Sequence, residues 1–363
     1  MKMPNVTVSF KETGITAIQR SKRGIVLLIL EEENEIAPLT VYSVDDIPET
    51  LTDKNKEQIK LALMGYINAP RYILVYFIHP AAVDAEQDYT DILRKIERVK
   101  FNYLVIPDIA DKKTADIASW VKSMRTTKDI DVKAVLPNTA ADCEGVINFT
   151  NTMLKTKDKS YTTAEYCSRV AGIICGTPAT ISCTYAPAAE LVEVEAQTVD
   201  EMDERIEKGE FFFFDDGEKI KVARGINSYV TLVQGKGEDY QKIKLVDLMD
   251  MIHDDIKETA HNSYIGKYAN SYDNRCLLIT AIQGYFDTLE TEGLLERNQN
   301  SVYIDIEATK NWLESNGKYT KGELAMMKDQ DIKEANVHDN VFLAASLSTL
   351  DAIENITVNC TVA

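Results

Sequence analysis

His253 and His261 stand eight residues apart, in a segment that also carries Asp254, Asp255 and Glu258. Histidines and carboxylates at the right spacing would hold a metal, but helical zinc ligands sit closer together than this, and the cluster reads as a solvated helix face. The six cysteines, Cys143, Cys167, Cys175, Cys183, Cys276 and Cys360, form no CxxC pair and no metal-type grouping. Cys167 and Cys175 lie among apolar residues and are expected as small buried hydrophobes with free thiols. A phosphate loop would read GxxxxGK[ST], whereas Gly235-Lys236-Gly237 is a lone short turn. Neither GxGxxG after a strand nor a GxSxG nucleophile elbow occurs. No catalytic, cofactor-binding or metal-binding residue is therefore assigned, and no cofactor is expected.

The elements around these residues alternate. An apolar run at residues 25–30 suits a strand buried on both faces. A helix capped at Thr52-Asp53 follows, then a strand at 72–78, a helix at 88–99, a strand at 102–106, a helix at 114–124 and a strand at 132–136. This order predicts a mostly parallel sheet with helices on both faces. Thr162-Thr163-Ala164-Glu165 has the form of a capping box, opening a helix that Gly176-Thr177-Pro178 stops. A short strand is expected at 181–185 and a polar helix at 199–208. Four phenylalanines, Phe211 to Phe214, read as a buried strand turning at Asp215-Asp216-Gly217 into a return strand at 219–222.

Two amphipathic segments follow. Leu245, Leu248, Met249, Ile252 and Ile256 lie on one helical stripe, and Leu278, Ala281, Ile282, Tyr285 and Leu289 on another. A short alternating strand, Val302-Tyr303-Ile304-Asp305-Ile306, comes next, and residues 341–347, from Val341 through Leu343, alternate as another. Both ends of the chain are β-prone. Val6, Val8 and Phe10 share one side of a segment at 6–10, and Ile356, Val358 and Cys360 share one side of a segment at 353–362. A terminal strand without a hairpin partner needs an edge to join, in its own sheet or in another copy.

Acidic residues outnumber basic ones 58 to 40 in 363 residues, a net charge of −18, which argues against nucleic acid as a partner. No run approaches the roughly 20 apolar residues of a membrane helix. The opening residues Met1-Lys2-Met3-Pro4-Asn5 have no apolar core of a secretory signal, so synthesis and folding in a bacterial cytoplasm are expected and no membrane partner is.

The wording of the C-terminal half is more specific than its periodicity. Lys219-Ile220-Lys221-Val222-Ala223-Arg224-Gly225-Ile226-Asn227-Ser228, then Gly237-Glu238-Asp239, Met249-Asp250-Met251-Ile252-His253-Asp254-Asp255-Ile256, Tyr264-Ile265-Gly266-Lys267 and Gly284-Tyr285-Phe286 follow in order. Together with Val341-Phe342-Leu343, Leu350-Asp351-Ala352-Ile353-Glu354 and Arg23-Gly24-Ile25-Val26, this order resembles contractile phage tail sheath proteins, including the sheaths of phage-tail-like R-type bacteriocins.

That resemblance implies a non-catalytic, subtilisin-like α/β domain, a smaller α+β C-terminal domain and extended terminal arms. The implied boundaries are an N-terminal arm at 1–22, an outer domain at 23–240, an inner assembly domain at 241–350 and a C-terminal arm at 351–363. The subtilisin likeness invites a search for Asp, His and Ser in that order. Asp45, His79 and Ser182 satisfy only the order, because no serine stands in the glycine-containing stretch Gly176-Thr177-Pro178-Ala179.

The family's arms exchange strands between subunits of stacked hexameric rings. By resemblance Val6, Val8, Phe10, Ile356, Val358 and Cys360 would be donated, and Val302, Ile304, Ile306, Val341 and Leu343 would receive them. Residues 13–22 and 349–354 would be hinges. Lys244, Lys257, Lys267 and Arg275 would face an acidic tail tube. The implied partners are further copies of the chain, the tail tube protein, and baseplate and tail terminator proteins, within a virion tail or tail-like particle. Two classes of function stand at this point: a self-assembling sheath subunit that contracts to drive a tube through a cell envelope, and a ligand-binding or hydrolase-like α/β domain.

Overall fold

In a computed structural model of the chain, residues 18, 24–82 and 85–362 are described. The predicted strand carrying Val6, Val8 and Phe10 lies outside them, as does nearly all of the predicted hinge at 13–22. The described chain forms two compact units: an α/β unit of residues 24–251 with 351–362, and a C-terminal unit of residues 252–350.

The α/β unit begins with β1 (Ile25–Glu31), β2 (Leu39–Val41), α1 (Asp53–Leu63), β3 (Tyr72–Ile78), α2 (Thr90–Ile96), β4 (Tyr103–Val105), α3 (Asp111–Thr127), β5 (Lys133–Pro137) and β6 (Val146–Phe149). It continues through β7 (Leu154–Thr156), β8 (Ser160–Tyr161), α4 (Thr163–Cys175), β9 (Leu191–Val194), α5 (Val199–Glu207), β10 (Glu210–Phe211), β11 (Phe213–Asp215) and β12 (Ile220–Val222), and into α6 (Ile243–Thr259). Its main sheet has seven strands in the order β10-β6-β5-β4-β1-β3-β2. All neighbours are parallel except the edge strand β2, which runs antiparallel to β3.

β1 shows why both faces must be covered. Val26, Leu28 and Leu30 enter one core with Ile59, Ala62, Val170 and Ile173 of α1 and α4. Ile25, Leu27 and Ile29 enter another with Ile92, Ile96, Ile117 and Val121 of α2 and α3. Strand residues alternate sides, so an all-apolar strand is stable only between two helical layers.

α4 packs closely on α1. Its capping box forms as the sequence predicts, with Glu165 N donating to Thr162 Oγ1 at 3.2 Å and Thr162 N to Glu165 Oε2 at 2.9 Å. Gly172 makes the approach possible, because a Cβ there would lie 2.3 Å from the Ala62 carbonyl oxygen.

Three local expectations are corrected. Residues 181–185 are not a strand: Tyr185 has φ +60°, and the chain meets β12 only at an isolated antiparallel bridge, Pro187↔Lys221, with bonds from Tyr185 N to Val222 O, Val222 N to Ala186 O and Ala188 N to Ile220 O. The phenylalanine run is split. Phe211 ends β10 in the main sheet, while Phe213 starts β11, which pairs antiparallel with β12. The predicted helix at 88–99 is shorter, Thr90–Ile96.

The C-terminal unit takes up the chain from Ile252 within α6 and continues through α7 (Tyr272–Thr291), β13 (Ser301–Ile304), α8 (Ile306–Ser315), α9 (Lys321–Met326), α10 (Asp329–Glu334) and β14 (Leu343–Ser346). Of the predicted stripe of α7, Ala281, Ile282, Tyr285 and Leu289 are buried and Leu278 is half-buried. Tyr285 donates its hydroxyl to buried Asp255 at 2.6 Å. α6 ends in a π-turn, Ala260–Tyr264, so His261 does not share a regular helix with His253.

Within the α/β unit, the first part of α6 is fixed by charge. Asp250 is 5% exposed and takes both terminal nitrogens of Arg125, at 3.1 and 2.8 Å. The ammonium of Lys133, 1% exposed, also bonds Asp250 and reaches Asp247 at 3.0 Å. Tyr103 donates its hydroxyl to Asp247, also at 3.0 Å. Burial alone would raise the Asp250 pKa, but Lys133 and Arg125 override it and hold the carboxyl at about 2.

Two outcomes follow from these contacts. Gly172→Ala should lower unfolding free energy by about 1–3 kcal/mol through overpacking, read from urea denaturation. Asp250→Asn should cost more, about 3–5 kcal/mol, because it removes the charge that two buried cations share and leaves each with only its weaker partners. In the wild type the Asp250 contribution is complete above the ordinary carboxylate pKa of about 4 and fades as pH falls through that value toward the folded value. A pH series of melts in which Asp250→Asn kept the wild-type acid slope would contradict that assignment.

Candidate assembly surface

The C-terminal segment has a fixed root and an open continuation. Asp351 bonds Lys242. Glu354 accepts from Thr184 Oγ1 at 2.6 Å and from Arg224 Nε at 3.2 Å, and its side chain is only 11% exposed. Thr184 is itself tied in, its hydroxyl bonding Ser182 Oγ at 2.8 Å and accepting from Gly225 N at 2.9 Å. Among the described residues the backbone beyond Glu354 joins no strand, and Ile356, Val358 and Cys360 are exposed, the first two at 77% and 74%.

A separate candidate, within the C-terminal unit, is its small sheet. β13 and β14 pair antiparallel in the register Ser301↔Ser346, Val302↔Ala345, Tyr303↔Ala344 and Ile304↔Leu343. Val302 and Ile304 point inward and are buried, while Tyr303 is half exposed. Among the described residues each strand has one strand neighbour, so each keeps an outer edge of backbone donors and acceptors. Below β14 the chain is stitched to the turn after α7, through Glu296 N to Ser348 O at 2.8 Å and Leu350 N to Leu294 O at 3.0 Å.

Two predicted strand residues lie outside this sheet. Ile306 is the first residue of α8, because Asp305 caps that helix, accepting from Ala308 N at 2.9 Å. Val341 precedes β14 and is exposed.

The four predicted tube-facing cations fall into two pairs. Lys257 is half-buried on α6, and Lys267 is exposed just past the π-turn, where it bonds the Asn262 carbonyl. Lys244 and Arg275 are buried, which corrects the expectation of a surface cation at these positions. Burial lowers the Lys244 pKa, and the residue lines a cavity of about 190 Å³ with Asn102, Tyr103 and Asp247. The Arg275 guanidinium donates to the Lys333 carbonyl at 2.9 Å and the Ala335 carbonyl at 3.1 Å, closing the end of α10.

No hydrogen bond joins Asp45, His79 and Ser182. Asp45 is exposed in a short turn, His79 is exposed, and the Ser182 hydroxyl is engaged by Thr184. Burial pushes the Cys183 thiol up to about 12 and raises that of Cys167 further, which makes both poor nucleophiles at neutral pH. Sequence reasoning missed the carboxylates that tie the C-terminal segment down. Their signal was the spacing Asp351 and Glu354 in front of an uncharged β-prone run.

A "Tail sheath protein" of Clostridium phage phiCD119 is 38% identical over 354 residues, 98% of each chain. The chain belongs to the phage tail sheath family. Two family models agree with this: the phage tail sheath protein central domain matches residues 83–228, and the phage tail sheath C-terminal domain matches residues 235–363. Among solved structures, a sheath tail protein from Desulfitobacterium hafniense superposes with a TM-score of 0.68 at 19% identity, over 83% of this chain and 94% of that one. The helical sheath of the anti-feeding prophage in its contracted state gives 0.70 at 13% identity, over 99% of each. These two likenesses are of fold. In this sheath protein no helix among the described residues is long and apolar enough to cross a membrane.

Glu354 is the residue on which the root of the C-terminal segment depends. Glu354→Ala should leave the global melting temperature near wild type and raise hydrogen exchange and protease cleavage in residues 351–362. Unchanged protection there would show that the Glu354 contacts do not hold the segment.

Proposed function

We propose that this sheath subunit assembles by exchanging terminal strands with neighbouring copies, and that the polymer contracts around a tail tube. Two observations carry the reading: among the described residues the β-prone C-terminal segment joins no strand, and the two-stranded sheet of the C-terminal unit has no further strand on either edge. Residues 355–362, extended, span roughly 26 Å, about twice a four-residue strand. Ile356, Val358 and Cys360 would lie on one face of the donated strand. Val302, Ile304 and Leu343 belong to the receiving strands, whereas Ile306 and Val341 flank them. Val6, Val8 and Phe10 are proposed as the second donated strand.

Strand addition gives affinity through main-chain bonds and specificity through alternate side chains. A contact between an arm and an edge is heterologous, so it closes into rings or grows into helices rather than stopping at a dimer. Stacked hexameric rings are the form proposed here, with residues 1–22 and 351–363 as arms, 23–240 as the outer domain and 241–350 as the inner one. Lys257 and Lys267 are the proposed tube-facing cations. Baseplate and tail terminator proteins are the proposed partners at the two ends of the polymer. One solved neighbour is described as a baseplate of the anti-feeding prophage and another as a sheath complex of an extracellular contractile injection system in its contracted state, and these descriptions support the contractile reading.

The α/β unit is proposed to have a subtilisin-like layout used as scaffold, without catalysis. Contraction would then draw on differences in packing between two arrangements of folded subunits. Each contact contributes little, and the sum over many rings is large. Bonds between backbones survive the rearrangement if the hinges bend, which is why exchanged strands suit a sliding polymer.

Removal of residues 355–363 tests the reading. The truncated subunit should fold, with an unchanged melting temperature, and fail to form striated tubes in negative-stain micrographs at concentrations where the full chain does. Normal tubes from the truncated chain would exclude C-terminal strand exchange.

A further inference from the structure

The loop after the Ser228 stretch spends many polar contacts on holding a few apolar side chains in water. Ser228 N donates to Val146 O at 2.8 Å, and Ser228 Oγ donates to the Cys143 carbonyl at 2.9 Å. The Asp142 carboxylate accepts from Val230 N at 2.8 Å and Thr231 N at 2.9 Å, which lowers its pKa against the opposing effect of burial. Tyr229 is buried and donates its hydroxyl to the Lys236 carbonyl at 3.1 Å. Val233 and Lys236 exchange backbone bonds of 3.3 and 2.9 Å, and the Lys236 ammonium bonds Glu144 at 2.8 Å. Gly209, with φ +71°, admits the base of the loop, since a Cβ there would meet Val230 Cγ1 at 2.9 Å.

The side chains presented by this frame are Val230, Leu232 and Val233, exposed to 36, 50 and 54%. A loop braced in this way does not bury its apolar tip by folding back. The tip gains only when something else covers it.

Charge indicates what that is. Each copy of the chain carries a net charge of −18, so two copies repel unless they meet through complementary or uncharged patches. From Ser228 to Gly235 no residue is charged, and the one cation at the base, Lys236, is neutralised by Glu144. The exposed Asp142 carboxylate is taken up by Val230 N and Thr231 N, so the tip itself brings no charged side chain into a contact between like-charged copies. It also lies in the interval between the two matched family regions, which end at residue 228 and resume at 235.

We infer that the 229–236 loop is a subunit–subunit contact, its apolar tip buried against a second copy of this chain and separate from strand exchange. This rests on the sheath reading. The double variant Leu232→Asp/Val233→Asp tests it, compared with the full chain and with the chain lacking residues 355–363. Each is assayed by sedimentation and negative-stain microscopy, alone and co-expressed with the tail tube protein. The tip variant should keep the wild-type circular dichroism and melting temperature and raise the concentration needed for tubes by about tenfold or more. The milder Leu232→Ser/Val233→Ser should shift it in the same direction. Tubes at the wild-type concentration from both tip variants would overturn the inference while leaving the sheath reading intact. Normal tubes alone with loss only of tube-protein-dependent assembly would assign the tip to the tail tube instead, which also overturns it. A full chain that polymerises in neither condition would bring down the proposed mode of assembly and this inference with it.

Discussion

The fold of the α/β unit depends on one buried carboxylate. Asp250 sits among apolar neighbours on α6 and is kept charged there only because Arg125 of α3 and Lys133 of β5 are buried with it. Desolvating three charges is unfavourable, and the arrangement holds because each has a directed partner. A hydrophobic contact would tolerate α6 sliding by part of a turn. The forked bond from Arg125 and the second reach of Lys133 to Asp247 specify one register. The Arg125 side chain also meets Glu144, which holds Lys236 at the base of the apolar loop. Helix register and loop shape are therefore set by one electrostatic chain.

Much of the fold was legible in the residues. The unbroken apolar run of β1 demanded a strand covered on both faces, and the Thr162–Glu165 box placed the start of α4 to the residue. Short-range chemistry of this kind is visible because all partners lie within a turn or within an alternation. Asp250 was not singled out, because one aspartate beside an apolar stripe looks like a solvated position, and its partners are 117 and 125 residues away. Lys244 and Arg275 misled for the converse reason: long cationic side chains are mostly at the surface, and only tertiary packing shows them buried. At Ile306 two local rules competed. Alternation extended the strand, but Asp305 offered a helix cap, and the cap prevailed.

The candidate surface was legible in outline and not in its fastening. An uncharged β-prone run with no hairpin partner could be read from the chain. That Thr184, Arg224 and Lys242 would gather to hold its first residues could not, since these come from three separate places in the sequence. The division of labour is physical: ion pairs and a hydroxyl fix the root, and backbone groups are left for what lies beyond.

The composition of that free run has a further consequence. From Asn355 onward it contains isoleucine, valine and threonine, with no charge and no proline. Segments of this kind stack into cross-β fibres when many copies meet before their proper edges are available. The property that suits the segment to the proposed strand donation therefore also makes the free subunit a hazard in storage. Handling the protein becomes a matter of kinetics: growth from a nucleus has to outrun fibril formation, and the crowding that favours one favours the other.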